Sequence, residues 1–257
     1  MRYLSVEEAR AGDGPFLVLT QGVPGPWSMS AKAILDLKGI AYRAVAQKGG
    51  EDNADLVAWT GRRNAPLLLA GEQGGRAHWL EILDYAERAQ PAPALLPDDP
   101  QARTEAIGLC DMICSEQGFA WCARLFMLEA MHDAFGDAAL ANPMMREYGY
   151  SKEALAPALQ RVSRIMDLLA ARLQTQAAAG SRFFVGDRFG AADLYWAYFS
   201  QLFDALPDEK CPTPLPLRKG WGRFGKRLAQ SGYEADPILL AHRDQVFGTD
   251  LPLPIEF

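Results

Sequence analysis

Arg63-Asn64-Ala65-Pro66-Leu67-Leu68-Leu69 sets a proline between a polar loop and a run of leucines with the look of a strand. Proline cannot donate a ladder hydrogen bond, so it belongs at the first residue of such a strand, where a bend or a cis peptide is tolerated. If the Ala65-Pro66 bond is cis, the N–H and C=O of Ala65 turn out of the sheet and can pair with an extended peptide. If it is trans, the stretch is an ordinary entry into a strand. The elements on either side bear on that choice.

Upstream, Phe16-Leu17-Val18-Leu19-Thr20 is a continuous apolar run of strand length, the pattern of a strand covered on both faces. Before it, Ser5-Val6-Glu7-Glu8 has the Ser-x-x-Glu form that opens a helical turn. After it, the breakers Gly22-Val23-Pro24-Gly25-Pro26 lead into Trp27, Ala31, Ile34 and Leu35 at helical spacing, until Gly39 closes the helix. A second strand is predicted over 40–47, a weaker helix over 51–60 and the third strand over 66–70. Glu72-Gln73-Gly74-Gly75 is predicted to turn into a short fourth strand near Arg76-Ala77-His78. Leu80, Leu83 and Ala86 then begin a helix that Pro91 stops.

This order is βαβ followed by ββα, a right-handed crossover and then a hairpin. It is the order of an α/β thioredoxin-like domain, whose hallmark is a cis-proline opening the third strand. The sequence therefore predicts a cis Ala65-Pro66 bond that faces a cleft between the two halves of the chain.

Past the proline-and-acid stretch Pro97-Asp98-Asp99-Pro100 the pattern is helical. A long or kinked helix is predicted over 102–134, another over 151–178 and a third over 191–203. In the third, Ala191, Leu194, Tyr195, Tyr198 and Leu202 share one face, marking a buried axis. Its entry, Phe189-Gly190-Ala191-Ala192-Asp193, puts an acid three residues after the cap and a hydrophobic residue before it. Asp193 is expected to accept backbone N–H groups around Phe189 and Gly190. Two domains follow, thioredoxin-like over 1–90 and all-helical over 101–257. The apolar tail Leu251-Pro252-Leu253-Pro254-Ile255-Glu256-Phe257 is expected to lie against the body of the protein.

Composition is that of a globular chain: 49% hydrophobic and 23% charged over 257 residues. A net charge of -6 opposes a nucleic-acid partner, which needs a basic footprint. No apolar run approaches the ~20 residues of a membrane span, and the N-terminal residues have no apolar signal core. A soluble, cytoplasmic protein is expected, with no membrane partner. Cys110, Cys114, Cys122 and Cys211 have no CxxC spacing and are expected as reduced thiols. Cys110 and Cys114 share a helix face but lack a third ligand, so no metal site is expected. With Met112, Trp121, Phe126 and Met127 they line the interdomain cleft or the core. His132-Asp133 and His242-Arg243-Asp244 look like triad fragments, but no nucleophile elbow precedes either, and both are expected as helix-surface or terminal polar groups.

The chain resembles the soluble (cytosolic) glutathione transferase superfamily, as a divergent bacterial-type member. The resemblance rests on Gly25-Pro26-Trp27-Ser28 leading into Ala33-Ile34-Leu35-Asp36-Leu37-Lys38-Gly39-Ile40-Ala41-Tyr42. It rests also on Asn64-Ala65-Pro66-Leu67, on Ile82-Leu83-Asp84-Tyr85-Ala86 and on Phe189-Gly190-Ala191-Ala192-Asp193-Leu194. It implies a thioredoxin-like domain plus an all-α domain, glutathione as co-substrate, an apolar electrophile entering between the domains, and a homodimer. Ala65, preceding Pro66, would pair with the cysteinyl backbone of glutathione, with Asn64 and Trp27 beside it.

Two departures fall on the chemistry. In the family a Tyr, Ser or Cys near the first helix stabilises the glutathione thiolate; here Gly25, Pro26 and Trp27 fill the usual serine or cysteine slots. Ser28 is the preferred donor, assisted by the helix N-terminus; otherwise its hydroxyl simply caps the helix. Ser30, within the first turn, ranks below it. Where the family opens its third helix with an acid and a serine that hold the γ-glutamyl end, His78-Trp79 stand here. A protonated His78 would pair with a carboxylate, and histidines titrate near ~6.5, so such binding would depend on pH. Trp79 suits a bulkier ligand or fills the groove. Glu81 either replaces the missing acid or is an ordinary exposed helical glutamate. Arg62 and Arg63, ahead of Lys32, are placed to meet a ligand carboxylate. Two functions remain: an enzyme of glutathione transferase type, or a non-catalytic ligand-binding protein on that scaffold.

Overall fold

The structure is a computed structural model that describes residues 1–71 and 74–257. Helix α1 (Val6–Arg10) opens with the expected capping box. The Ser5 hydroxyl accepts the Glu8 N–H at 3.1 Å, and the Glu8 carboxylate accepts the Ser5 N–H at 2.7 Å. Strand β1 (Phe16–Thr20) follows, buried along its first four residues. Helix α2 (Pro26–Leu37) ends where Gly39, at φ 62°, takes the left-handed conformation that glycine adopts without strain. There Gly39 N–H donates to the Asp36 carbonyl at 3.0 Å and Ile40 N–H to the Leu35 carbonyl at 2.9 Å, pairing carbonyls the helix end would otherwise leave open. This closure uses up Ile40, so strand β2 starts later than predicted, at Arg43–Gln47.

Helix α3 (Ala54–Thr60), strand β3 (Leu67–Leu69) and helix α4 (Trp79–Ala89) complete the first part. The sheet order is β2-β1-β3, with β1 parallel to β2 and antiparallel to β3. One face of the sheet meets α1 and α3 in a cluster of Leu4, Val6, Ala9, Phe16, Val18, Val45, Leu56 and Leu67. The alternate residues Leu17 and Leu19 are fully buried as well, which is why β1 shows no polar alternation. The predicted fourth strand is reduced to one antiparallel bridge, Leu68 to Arg76. His78 already caps α4, leaving only Ala77 between the bridge and the helix. The predicted turn at Glu72-Gln73 lies outside the described residues.

Lys38, at the end of α2, is 3% exposed. Its ammonium donates to the carbonyls of Gln90 and Pro93, both at 2.8 Å, and pairs with the Glu87 carboxylate at 2.6 Å. Three donors meet three acceptors, which is what makes a buried ammonium tolerable.

Nearly all the rest is helical: α5 (Pro100–Cys114), α6 (Phe119–Phe135), a 3₁₀ turn over Gly136–Ala141, α7 (Pro143–Glu147) and α8 (Lys152–Ala178). Then come α9 (Ala191–Phe199), a 3₁₀ turn over Ser200–Leu202, α10 (Leu215–Gln230) and α11 (Ile238–Thr249). The single helix predicted over 102–134 is two. Gln117 sits at φ 61°, and a Cβ on Gly118 would come within 2.7 Å of the Met112 carbonyl oxygen, so the chain turns sharply there. The sequence reading also passed over α10 and α11. In α10 three glycines thin out the apolar period, and one of them lets the backbone close on a neighbour: a Cβ on Gly225 would stand 2.8 Å from the Phe203 carbonyl oxygen.

All nine residues of α9 are buried, so its first amides cannot turn to water. The Ala191 N–H donates to the Leu95 carbonyl instead, and Asp193 ties down the loop that leads into the helix. Its carboxylate accepts the Gly190 N–H at 2.9 Å, as expected, and the Phe184 N–H at 2.8 Å rather than that of Phe189. Phe189 instead lies edge-on to Phe183, with ring centres 6.4 Å apart. His242 and Arg243 are not the surface groups predicted; they are 4% and 5% exposed. The His242 Nδ1 lies 3.0 Å from the Arg182 carbonyl, and Nε2 stands 3.1 Å from the Asp193 carboxylate as a close electrostatic contact without hydrogen-bond alignment. Arg243 pairs with Asp204 and Asp244.

By contacts the chain divides into two units, Met1–Ala94 with Ile255–Phe257, and Leu95–Pro254. Leu95 and Leu96 are each 2% exposed, and the Ala191 N–H donates to the Leu95 carbonyl at 2.7 Å, so the second unit begins ahead of the expected linker residues. Among the described residues no helix is long and apolar enough to cross a membrane.

Asp193→Ala leaves the buried Phe184 amide and the half-buried Gly190 amide unpaired and is expected to cost about 2–4 kcal/mol in denaturant unfolding. Lys38→Ala removes the ammonium that the Glu87 carboxylate and two carbonyls share, for an expected loss of about 3–5 kcal/mol. Lys32→Ala, which breaks an i,i+4 pair on the surface of the same helix, should cost under about 1 kcal/mol. Equal losses at Lys32 and Lys38 would refute the buried-latch reading.

Candidate functional site

The C-terminal end of β1 is where the candidate residues gather. Helix α2 begins with Gly25 as N-cap and Pro26 at its first position, so no side chain caps it. Ser28 does not turn back on its own helix. It is 2% exposed, and its Oγ accepts the Thr20 N–H at 3.4 Å, tying α2 to the last residue of β1. The hydroxyl proton of Ser28 has no acceptor among the described residues. Thr20 in turn donates its own hydroxyl to Gln47 at 2.8 Å. Ser30 is spent locally, donating to the Trp27 carbonyl at 3.1 Å, and Trp27 is half-buried. Lys32 pairs with Asp36 at 2.7 Å, which also accepts the Tyr42 hydroxyl at 2.9 Å.

On the other side of β1, the last paired residues are Val18 and Leu67, two residues short of Thr20 and two beyond Ala65. The Ala65-Pro66 bond is cis, as predicted. The Ala65 methyl packs on the sheet's hydrophobic cluster, while its N–H and C=O make no hydrogen bond among the described residues. Asn64 and Arg62 are exposed; Arg63 is half-buried and its guanidinium reaches the Glu51 carbonyl at 3.5 Å. The single bridge from Leu68 to Arg76 brings the chain that leads into α4 alongside β3.

The start of α4 is built differently from expectation. His78 is the N-cap: its Nδ1 accepts the Leu80 N–H at 3.3 Å, while the Glu81 carboxylate accepts the His78 N–H at 3.2 Å. The two residues form one capping box, with histidine where serine or threonine usually stands. The spacing from His78 to Glu81 was the available signal. Trp79, at the first helical position, is 8% exposed, and its ring lies 5.6 Å from that of His78. Thr20 was also missed, since its place in the apolar run marks it only as strand.

Burial pushes the Cys110 and Cys114 thiols well up and the Cys122 thiol to about 11, so none is a ready thiolate. Among the described residues no group of three His, Cys, Asp or Glu could hold a metal ion.

Residues 152–233 match the family model for the C-terminal domain of glutathione S-transferase. A glutathione S-transferase from Methylobacterium radiotolerans JCM 2831, in complex with glutathione sulfonate, aligns over 92% of each chain with a TM-score of 0.59 and 21% identity. A glutathione S-transferase domain-containing protein from Marinobacter aquaeolei VT8 aligns over 92% of this chain and 98% of its own, with a TM-score of 0.61 and 18% identity. This is the glutathione transferase fold. A glutathione S-transferase from Xanthobacter autotrophicus Py2 covers 93% of this chain, at a TM-score of 0.59 and 18% identity. Comparison with curated proteins gives no match. In glutathione transferase terms, the first unit is the thioredoxin-like part and the second the all-helical part.

Because Asp also accepts at an N-cap, His78→Asp should change stability by no more than about 0.5 kcal/mol, whereas His78→Ala should lose about 1 kcal/mol. Thermal unfolding of the two variants checks the capping role.

Proposed function

We propose that this chain is a divergent member of the glutathione transferase superfamily, a cytoplasmic homodimer that joins glutathione to an apolar electrophile. One observation carries the reading. An unpaired peptide group on Ala65, at the entrance to β3, and an unspent hydroxyl proton on Ser28, bound to Thr20, both lie toward the end of β1. Ala65 pairs through its N–H and C=O with the cysteinyl backbone, with Asn64 and Pro66 shaping the turn around it. Ser28 donates a hydrogen bond to the sulfur, and the uncapped, positive end of α2 at Trp27 adds to the effect. His78, Trp79 and Glu81, at the start of α4, take the γ-glutamyl end.

The chemistry asked of Ser28 is modest. A thiol near ~8.5 is mostly protonated at neutral pH, and lowering it by ~2 units stabilises the anion by about 2.7 kcal/mol. Ser28 holds that anion while the sulfur attacks the electrophile.

A second reading, a ligand-binding protein without turnover, is favoured by two observations. Ser28 is 2% exposed, and the His78 Nδ1 and one Glu81 oxygen are already engaged in the cap.

Ser28→Ala is expected to lower turnover of a chromogenic electrophile by about 10²-fold while changing glutathione affinity much less. Steady-state rates and calorimetry on both proteins check this. Wild-type protein that binds no glutathione at millimolar concentration, with an indifferent Ser28→Ala, leaves only the second reading.

A further inference from the structure

The last residue of β1 is held from one side. Pairing between β1 and β3 stops at Val18 and Leu67, so Thr20 has no ladder partner in β3. On the other side it stands opposite Gln47, the last residue of β2. Gln47 holds that end of β1 by two bonds: its carbonyl accepts the Gln21 N–H at 2.9 Å, and its Oε1 accepts the Thr20 hydroxyl at 2.8 Å. The Gln47 side chain is itself fixed. It is 4% exposed, and its Nε2 donates to the Lys48 carbonyl at 3.0 Å, which leaves Oε1 as the end that faces Thr20. The Thr20 hydroxyl is therefore the donor of that pair, and its proton is spent.

What Thr20 offers α2 is its backbone, whose N–H donates to the Ser28 Oγ at 3.4 Å. That bond occupies one lone pair of the oxygen and narrows the directions open to the hydroxyl proton. A hydroxyl that accepts a hydrogen bond is also polarised into a stronger donor. Hydrogen bonds weaken steeply with misalignment, so a small turn of the Thr20 peptide plane loses both effects. With no β3 residue paired to Thr20, Gln47 is what resists such a turn.

Resting on the reading of Ser28 as the donor to a glutathione sulfur, we propose that Gln47 and Thr20 are positioning residues for the thiol chemistry. They act through Ser28: Gln47 aims the Thr20 amide, and the amide aims the serine hydroxyl.

The test takes the full chain through a double-mutant cycle on turnover of glutathione with a chromogenic electrophile. Thr20→Val keeps the shape and the amide but removes the hydroxyl, and Gln47→Met removes its acceptor. Each is expected to lower kcat by about tenfold, less than Ser28→Ala does, with KM for glutathione within about twofold of wild type. Each should also move the thiol-ionisation limb of the kcat–pH profile up by about one unit. In a Ser28→Ala background neither substitution should lower kcat further, because the group they position is gone. Wild-type kcat in both variants, or a fall of the same size in the Ser28→Ala background with an unmoved pH limb, overturns this inference and spares the proposed function. A silent Ser28→Ala overturns the role proposed for Ser28, and this inference with it.

Discussion

A helix buried on every side cannot leave its first amides to water, and α9 is buried along its whole length. The Ala191 N–H meets that constraint on the Leu95 carbonyl, and the Asp193 carboxylate holds the loop ahead of the helix with two backbone hydrogen bonds. The chain from Phe184 to Gly190 loops back to present both amides. The Leu95 carbonyl closes over Gly190 so tightly that a Cβ there would sit 3.1 Å from it. His242 reaches in from α11 against the same carboxylate. In the first unit Lys38 plays the matching part with opposite charge, gathering carbonyls at the end of α4 instead of amides at the start of a helix.

What could be read from the sequence was whatever depends on local rules. The apolar run of β1, the proline at the entrance to β3, the Ser5 and Asp193 caps and the glycine closing α2 each follow from a residue type at a fixed offset. What escaped depends on neighbours far along the chain. Lys38 looks like any helix-ending lysine until its carbonyl partners arrive from Gln90 and Pro93. The break between α5 and α6 hides in Gln117-Gly118, because a glutamine in left-handed conformation has no sequence signature. Helix α10 is masked by three glycines, of which Gly225 is there for the close approach of Phe203 rather than for the helix.

At the candidate site the same division holds. Ala65 was found because a proline announces it. Ser28 was found as a residue, but its attachment to Thr20 across to β1 was not, since it is set by how α2 lies on the sheet. His78 was read for its charge and turned out to hold a backbone amide. That engagement fixes which ring nitrogen keeps the proton, a property no single residue type discloses.

Residues 255–257 belong to the first unit, although everything from Leu95 to Pro254 belongs to the second. On the ribosome, then, the first unit can build its sheet early but must wait for the whole helical unit to be synthesised before Ile255, which is 6% exposed, takes its place. Until that moment the first unit lacks one of its buried apolar side chains. The order of translation thus makes the last few residues a closing step for the first unit.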